Sequence, residues 1–257
     1  MKIRLLVAAA NIGVMFLGGS GIAAEAAELK VIAAMQPVLE DLGPKFERAS
    51  GHKLAITFDT LGGVVKRVQG GETADVVIIP RQGIDRLVKD GKAIAGNVTV
   101  VARSGISVAV RKGAPKPDIS SPEALKRTLL AAKSITYCDP ALGCTSGIHV
   151  AKVMERLGIA NEMKPKTVFV PKPDLVGVLV ANGKAEIGVA TIPGLLPVAG
   201  IEIVGPLLGD LQDTLIFAAA VMSGTKSAEA SKALVDFLRT PEAAAVIKAK
   251  GLEPATP

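Results

Sequence analysis

Apolar residues along this chain fall into short β-branched runs that alternate with helical stripes, and the junctions between them are rich in Gly, Pro and hydroxyl residues. Leu29 to Ala33 reads as a buried strand, followed by the loop Ala34-Met35-Gln36. A helix opens at Pro37, where proline is favourable, and shows Val38, Leu39, Leu42, Phe46 and Ala49 on one face before Gly51 ends it. Pro44 falls inside that helix and is expected to kink or tighten it. Leu54 to Phe58 is a second strand, leading through Asp59-Thr60-Leu61-Gly62-Gly63 into a short helix with Val64, Val65 and Val68. Ala74 to Ile79 is a third, apolar throughout after Asp75, as expected of a parallel strand covered on both faces. Pro80 and Arg81 follow it, then a helix bearing Ile84, Leu87 and Val88. The β-α-β-α-β-α succession implies an α/β layer with a mainly parallel sheet, whose ligand loops lie beyond the carboxyl ends of the strands.

The pattern changes at Val98 to Ala102 and Ile106 to Val110, two extended runs broken at Ser104-Gly105, as in a crossing from one lobe to another. Ser121-Pro122-Glu123 caps a further helix. A short strand at Ile135 to Tyr137 then gives way to an Asp139-Pro140 turn and a helix opening at Thr145 or Ser146, with Ile148, Ala151, Val153, Met154 and Leu157 as its stripe. Thr167 to Val170 and Glu186 to Thr191 are later strands, separated by a helix that Asp174 can cap. Ile201 to Val204 and Leu215 to Val221 follow, the second expected to run antiparallel in a return crossing, and two helices close the chain. The expected division is a signal peptide at 1–26, one lobe from 27–103 and 192–257, and a second lobe from 104–191.

The signal peptide rests on a basic start at Lys2 and Arg4, an apolar run from Leu5 to Leu17 and small residues from Gly21 to Ala27. That run is shorter than the ~20 residues a membrane span needs, so a soluble protein outside the cytoplasm, periplasmic, is expected. The net charge of +6 comes from 30 basic and 24 acidic residues, and aromatics are only 3%, so the clustered cations and stacking rings of a nucleic-acid reader are missing. A small anion suits this balance better. No cofactor, metal or nucleic acid is expected, and the protein is expected to be a monomer.

Chemistry concentrates between Ser134 and Gly158. Thr145, Ser146 and Gly147 stand at a helix start, where free amides and a hydroxyl face an anion without any cationic side chain. Cys138 and Cys144 lie in the same stretch, and in an oxidising compartment a disulfide is their default reading. The alternative, Cys144 as a nucleophile near His149, lacks a visible third group to orient it.

Several of these runs resemble a known family, the periplasmic solute-binding proteins of the molybdate-binding type that serve ABC importers. They are V-I-A-A at Val31, F-x-T at Phe58, A-D-V-V-I at Ala74, D-P-x-x-G-x-x-S-G-I at Asp139 and E-I-G-V at Glu186, in order along essentially the whole mature chain. The resemblance implies a two-lobed periplasmic-binding-protein fold of type II, with the ligand held in the cleft by serine hydroxyls, helix-start amides and a tyrosine. Carried over residue by residue, the first-loop serine falls at Ala34 or Met35, with Gln36 beside it, and the second-loop serine near Thr60 to Gly62, in the loop that ends at Gly63. The far-lobe amide position falls on Ser146, between the candidate donors Thr145 and Gly147, the amide at the next helix start falls on Leu175, and the tyrosine position falls near Thr191.

The first-loop serine and the tyrosine are therefore absent, which disfavours molybdate or tungstate, because a buried dianion short of donors is costly. Arg81, after the third strand, offers a planar fork suited to a carboxylate, or else is a solvent-facing arginine at a helix start. The chain is also similar to the aconitate isomerase branch, through V-R-K-G-A-P-x-P-D-I-S-S-P-E-A-L at Val110 and G-I-E-I-V-G-P-L at Gly200. An isomerase needs a base, for which Asp59, Tyr137 and His149 are the candidates, while His52 reads as structural. Delivery of a small anion, carboxylate or oxyanion, to an inner-membrane permease is the leading expectation, with no catalytic residue assigned; a tricarboxylate isomerase is the alternative.

Overall fold

The computed structural model describes residues 26–255. The expected signal peptide therefore lies outside the described residues, apart from Ala26. The chain opens with β1 (Glu28–Ala33), α1 (Gln36–Ser50), β2 (Lys53–Phe58), α2 (Leu61–Gln69), β3 (Val76–Pro80), α3 (Arg81–Lys89) and the long β4 (Ala93–Ser104). It continues through β5 (Ile106–Arg111), α4 (Pro122–Ala131), β6 (Ile135–Cys138), α5 (Thr145–Arg156), α6 (Ala160–Met163), β7 (Thr167–Val170), α7 (Asp174–Ala181), β8 (Ile187–Thr191), α8 (Ile192–Leu195) and β9 (Ile201–Pro206). It closes with β10 (Leu215–Met222), α9 (Ala228–Phe237), α10 (Pro241–Ala249) and β11 (Glu253–Pro254). Pro44 is accommodated inside α1, and His52 is structural, its Nδ1 accepting the Ala27 N–H at 3.1 Å.

Two sheets form two lobes. The first is six-stranded in the order β11-β4-β10-β3-β1-β2 and the second five-stranded in the order β7-β6-β8-β5-β9. Only the β2-β1-β3 and β7-β6-β8 groups are parallel. The crossing strands β4 and β5, with β9, β10 and β11, add antiparallel pairs, so both sheets are more mixed than expected. The reason is connectivity: parallel neighbours need a helical crossover, whereas a chain passing between lobes can pair directly in reverse. All of β3 is buried. Leu29, Val31, Val76 and Ile78 meet α1 and α9 on one face, and Ile32, Val77 and Ile79 meet α2 and α3 on the other. Each such aliphatic side chain contributes about 1.5–3 kcal/mol on burial.

The chain leaves the first lobe at Ser104-Gly105, as the extended pattern implies, but the return comes later than residue 192. β9 pairs with β5, and α8 joins the second lobe through the buried Leu195, which clusters with Val176 of α7. The chain rejoins the first sheet at β10, and β11 follows it there. At the crossing, the Gln212 carboxamide holds both backbone groups of Ile106, accepting its N–H at 2.9 Å and donating to its carbonyl at 3.0 Å.

Candidate functional site

The carboxyl ends of β1, β2, β3 and β8 and the starts of α1, α5 and α7 meet at a cavity of about 380 Å³ between the lobes. Its near wall is largely apolar, built from Met35, Pro37, Phe58, Leu61 and Pro80 with Leu215, Phe217 and Leu252 from the returning chain. Cys144, Thr145, Ser146, Lys172, Asp174 and Thr191 face it from the far lobe, beside Pro193 and Pro197.

The far side carries the open donors. Cys138 and Cys144 form the expected disulfide, with Cα atoms 6.0 Å apart. Cys144 is also the N-cap residue of α5, and it makes no side-chain cap. The first-turn amides of Thr145, Ser146 and Gly147 therefore have no hydrogen-bond partner among the described residues. An α-helix cannot satisfy these groups internally, and its dipole places partial positive charge on them. Ser146 is buried, its Oγ 3.5 Å from Cys144 Sγ. Lys172 reaches the cavity from the loop between β7 and α7, without an ion-pair partner among the described residues. Thr191 is nine-tenths buried at the mouth of α8 and makes no cap either.

The near side is different. Thr60 Oγ caps α2 by accepting the Gly63 N–H at 3.2 Å and donates to the Leu142 carbonyl of the far lobe at 3.0 Å. Gly62 N–H donates to the Gly143 carbonyl at 3.1 Å. Thr60 still lines the cavity, but Gly62 and Gly63 do not, and the donors expected there already have partners. Ala34, Met35 and Gln36 line it as expected, although the Gln36 amide donates to Glu40 at 2.8 Å. Leu175 stands one residue behind the lining group Lys172-Pro173-Asp174. Arg81 is outside the cavity: its guanidinium pairs with Asp85 at 2.6 Å, one helical turn on.

Of the candidate bases, only Asp59 reaches the cavity, and both its oxygens are engaged, by the Thr60 N–H at 2.8 Å and Arg67 at 2.9 Å. That pairing with Asp59, and with Glu72, raises the Arg67 pKa. His149 Nε2 lies 2.8 Å from the Leu211 carbonyl, which can only accept, so this nitrogen carries the proton and the ring faces the return loop. Tyr137 packs edge-on against Phe169, and burial pushes its phenol pKa up. Lys172, Asp174, Glu40 and Lys250 are cavity residues that the sequence reading missed. Lys172 and Asp174 follow the carboxyl end of a parallel strand, a position the strand-end rule covers. Lys250, which pairs with Asp41 at 2.8 Å, is the residue that ends α10 and carries no local signal.

Two α/β lobes, two crossings and a cleft lined by strand ends and helix starts define a two-lobed solute-binding protein. The family model for bacterial extracellular solute-binding proteins matches residues 29–253, and the chain belongs to that family. It is 33% identical over 222 residues to an aconitate isomerase of Pseudomonas sp., covering 84% of this chain and 83% of the relative. It is 27% identical over 236 residues to the molybdate-binding protein ModA of Azotobacter vinelandii, covering 89% and 91%. The solved periplasmic molybdate-binding protein of Azotobacter vinelandii superposes with a TM-score of 0.73 at 20% identity, covering 89% of this chain and 99% of that one, which shows the shared fold.

Proposed function

We propose that the protein is the solute-binding component of an ABC-type importer, working in the periplasm, and that its cleft takes a small organic anion bearing carboxylates. The observation that supports this is the asymmetry of the cavity, with open amides and Lys172 on the far side and a largely apolar near wall whose polar groups Gln36, Glu40, Asp59, Thr60 and Lys250 already have partners. A compact metal oxyanion needs donors on every side, because any face left against hydrocarbon loses its hydration without compensation. A carboxylate on a carbon skeleton has one end for the amides and Lys172 and an apolar body for Met35, Phe58 and Phe217. The carboxylate partner is thus Lys172 with the start of α5, in place of Arg81.

Calorimetric titration with molybdate, tungstate, sulfate, citrate, cis-aconitate and succinate tests this reading. Carboxylates are expected to bind and the oxyanions to give no heat. Binding of molybdate or tungstate alone overturns it.

A second reading is favoured by the 33% identity to an aconitate isomerase. Lys172, Glu40 and Asp174 supply titratable groups at the cavity, as proton transfer at a carbon requires. Incubation with cis-aconitate, followed by proton NMR for the trans isomer, decides it: turnover makes the protein an enzyme, and binding without turnover leaves it a carrier.

A further inference from the structure

We infer that the disulfide-closed loop Cys138–Cys144 is a latch between the lobes, and that the disulfide ties the latch to the helix start at the cavity. The loop makes one tight turn at Pro140–Leu142 and offers two carbonyls to the near lobe. Gly143 accepts the Gly62 N–H, and Leu142 accepts the Thr60 hydroxyl. The Gly62 amide belongs to the first turn of α2, so no group of its own helix could take it.

The approach is backbone on backbone. A Cβ on Gly62 would lie 2.7 Å from Gly143 Cα and 3.0 Å from the Leu142 carbonyl oxygen. Gly143 needs glycine for a second reason, its φ of +70°. Gly62 has no positive φ, so the close approach alone accounts for glycine there.

The loop is stiff. Asp139 accepts the Ala141 N–H through its side chain at 2.9 Å and the Leu142 N–H through its carbonyl at 3.2 Å. One end is fixed in the second sheet by Cys138 and the other is Cys144, the N-cap of α5, whose next two residues line the cavity. With the ends bonded, the latch carbonyls and the cavity amides move as one piece. Displacement of the α5 start is transmitted to the lobe contact whichever molecule fills the cleft.

Amide hydrogen exchange followed by NMR on the protein as purified tests the device, with Leu61 as an internal reference, since its first-turn amide has no partner among the described residues. In the wild type, Gly62 is expected to exchange roughly ten-fold or more slowly than Leu61. Gly62→Ala is expected to abolish the difference at position 62. The double variant Cys138→Ser/Cys144→Ser is expected to bring Gly62 to the Leu61 rate while amides in β1 and β3 stay protected, which shows that the near lobe remains folded. Equal rates in the wild type, or protection surviving at position 62 in Gly62→Ala, overturn the latch. Full protection of Gly62 in the double serine variant overturns its coupling to the disulfide.

Discussion

The start of α2 and the start of α5 face each other across the cleft, and each offers a hydroxyl, small residues and a glycine at the third helical position. Their donors end differently. In α2, Thr60 caps Gly63 and the far lobe takes the Gly62 amide, so two of the three first-turn amides are satisfied within the protein and only that of Leu61 has no partner among the described residues. In α5 the capping position is held by Cys144, whose sulfur is bonded to Cys138 and caps nothing. A disulfide at an N-cap thus does more than brace a loop: it removes an internal partner and leaves the first-turn amides of α5 open, two of them, Thr145 and Ser146, on residues that line the cavity. The same local sequence chemistry builds a joint between the lobes on one side and a row of open donors on the other.

The largest effect that would sharpen this contrast is expected at the two third-position glycines. A Cβ on Gly147 would overlap the Cys138 carbonyl, a backbone group pinned by the disulfide. Gly147→Ala is expected to lower unfolding stability by about 3 kcal/mol in urea titrations. The equivalent atom on Gly63 meets the Asp59 carboxylate, a side chain that can turn away by giving up its hydrogen bonds to the Thr60 amide and the exposed Arg67, so Gly63→Ala is expected to cost less, about 1–2 kcal/mol. Equal losses at the two positions would break the distinction between a pinned start and a yielding one.

Next in size is the hydroxyl comparison. Ser146→Ala is expected to weaken carboxylate binding about ten-fold in calorimetry, the cost of losing one hydrogen bond from a buried donor. Thr60→Ser keeps both Thr60 hydrogen bonds and is expected to leave affinity unchanged. If Thr60→Ser weakened binding as much as Ser146→Ala, the near start would be a ligand site after all. The smallest effect is expected at the cations. Lys172→Gln should reduce affinity roughly two- to threefold at low salt, with the difference shrinking as salt is added, because the ammonium is exposed and screened. Lys250→Gln should do less, since Lys250 already pairs with Asp41.

Much of the fold is legible in the sequence because the apolar runs are short and sharply bounded. The β1-to-α3 order, the crossing at Ser104-Gly105 and the helix opening at Thr145 all follow from periodicity and capping residues. The position of β9 does not, since nothing local distinguishes a strand that pairs with β5 from one that returns to the first sheet. Half of the site was visible for the same reason. Thr145 and Ser146 could be placed at a helix start and against a cleft, but the satisfaction of Thr60 and Gly62 by Leu142 and Gly143 depends on a facing surface remote in sequence. Arg81 is the instructive case. Asp85 stands four residues on, the spacing of a helical ion pair, and that nearer partner was present in the sequence alongside the cleft reading.

The place of β10 has a consequence for how the molecule is made. It lies between β3 and β4 in the first sheet, yet it is synthesised only after the whole second lobe. Until Met222 has emerged, β3 presents an open edge and β4 has no neighbour on that side. The closing pairs join segments far apart along the chain, a topology that folds slowly because loop-closure entropy is lost before the contacts form. Completion of the first sheet therefore requires a segment that follows every strand of the second sheet in the chain, although the first sheet begins first in sequence. For a chain whose family works outside the cell, this delays a finished core until nearly all of the polypeptide is available.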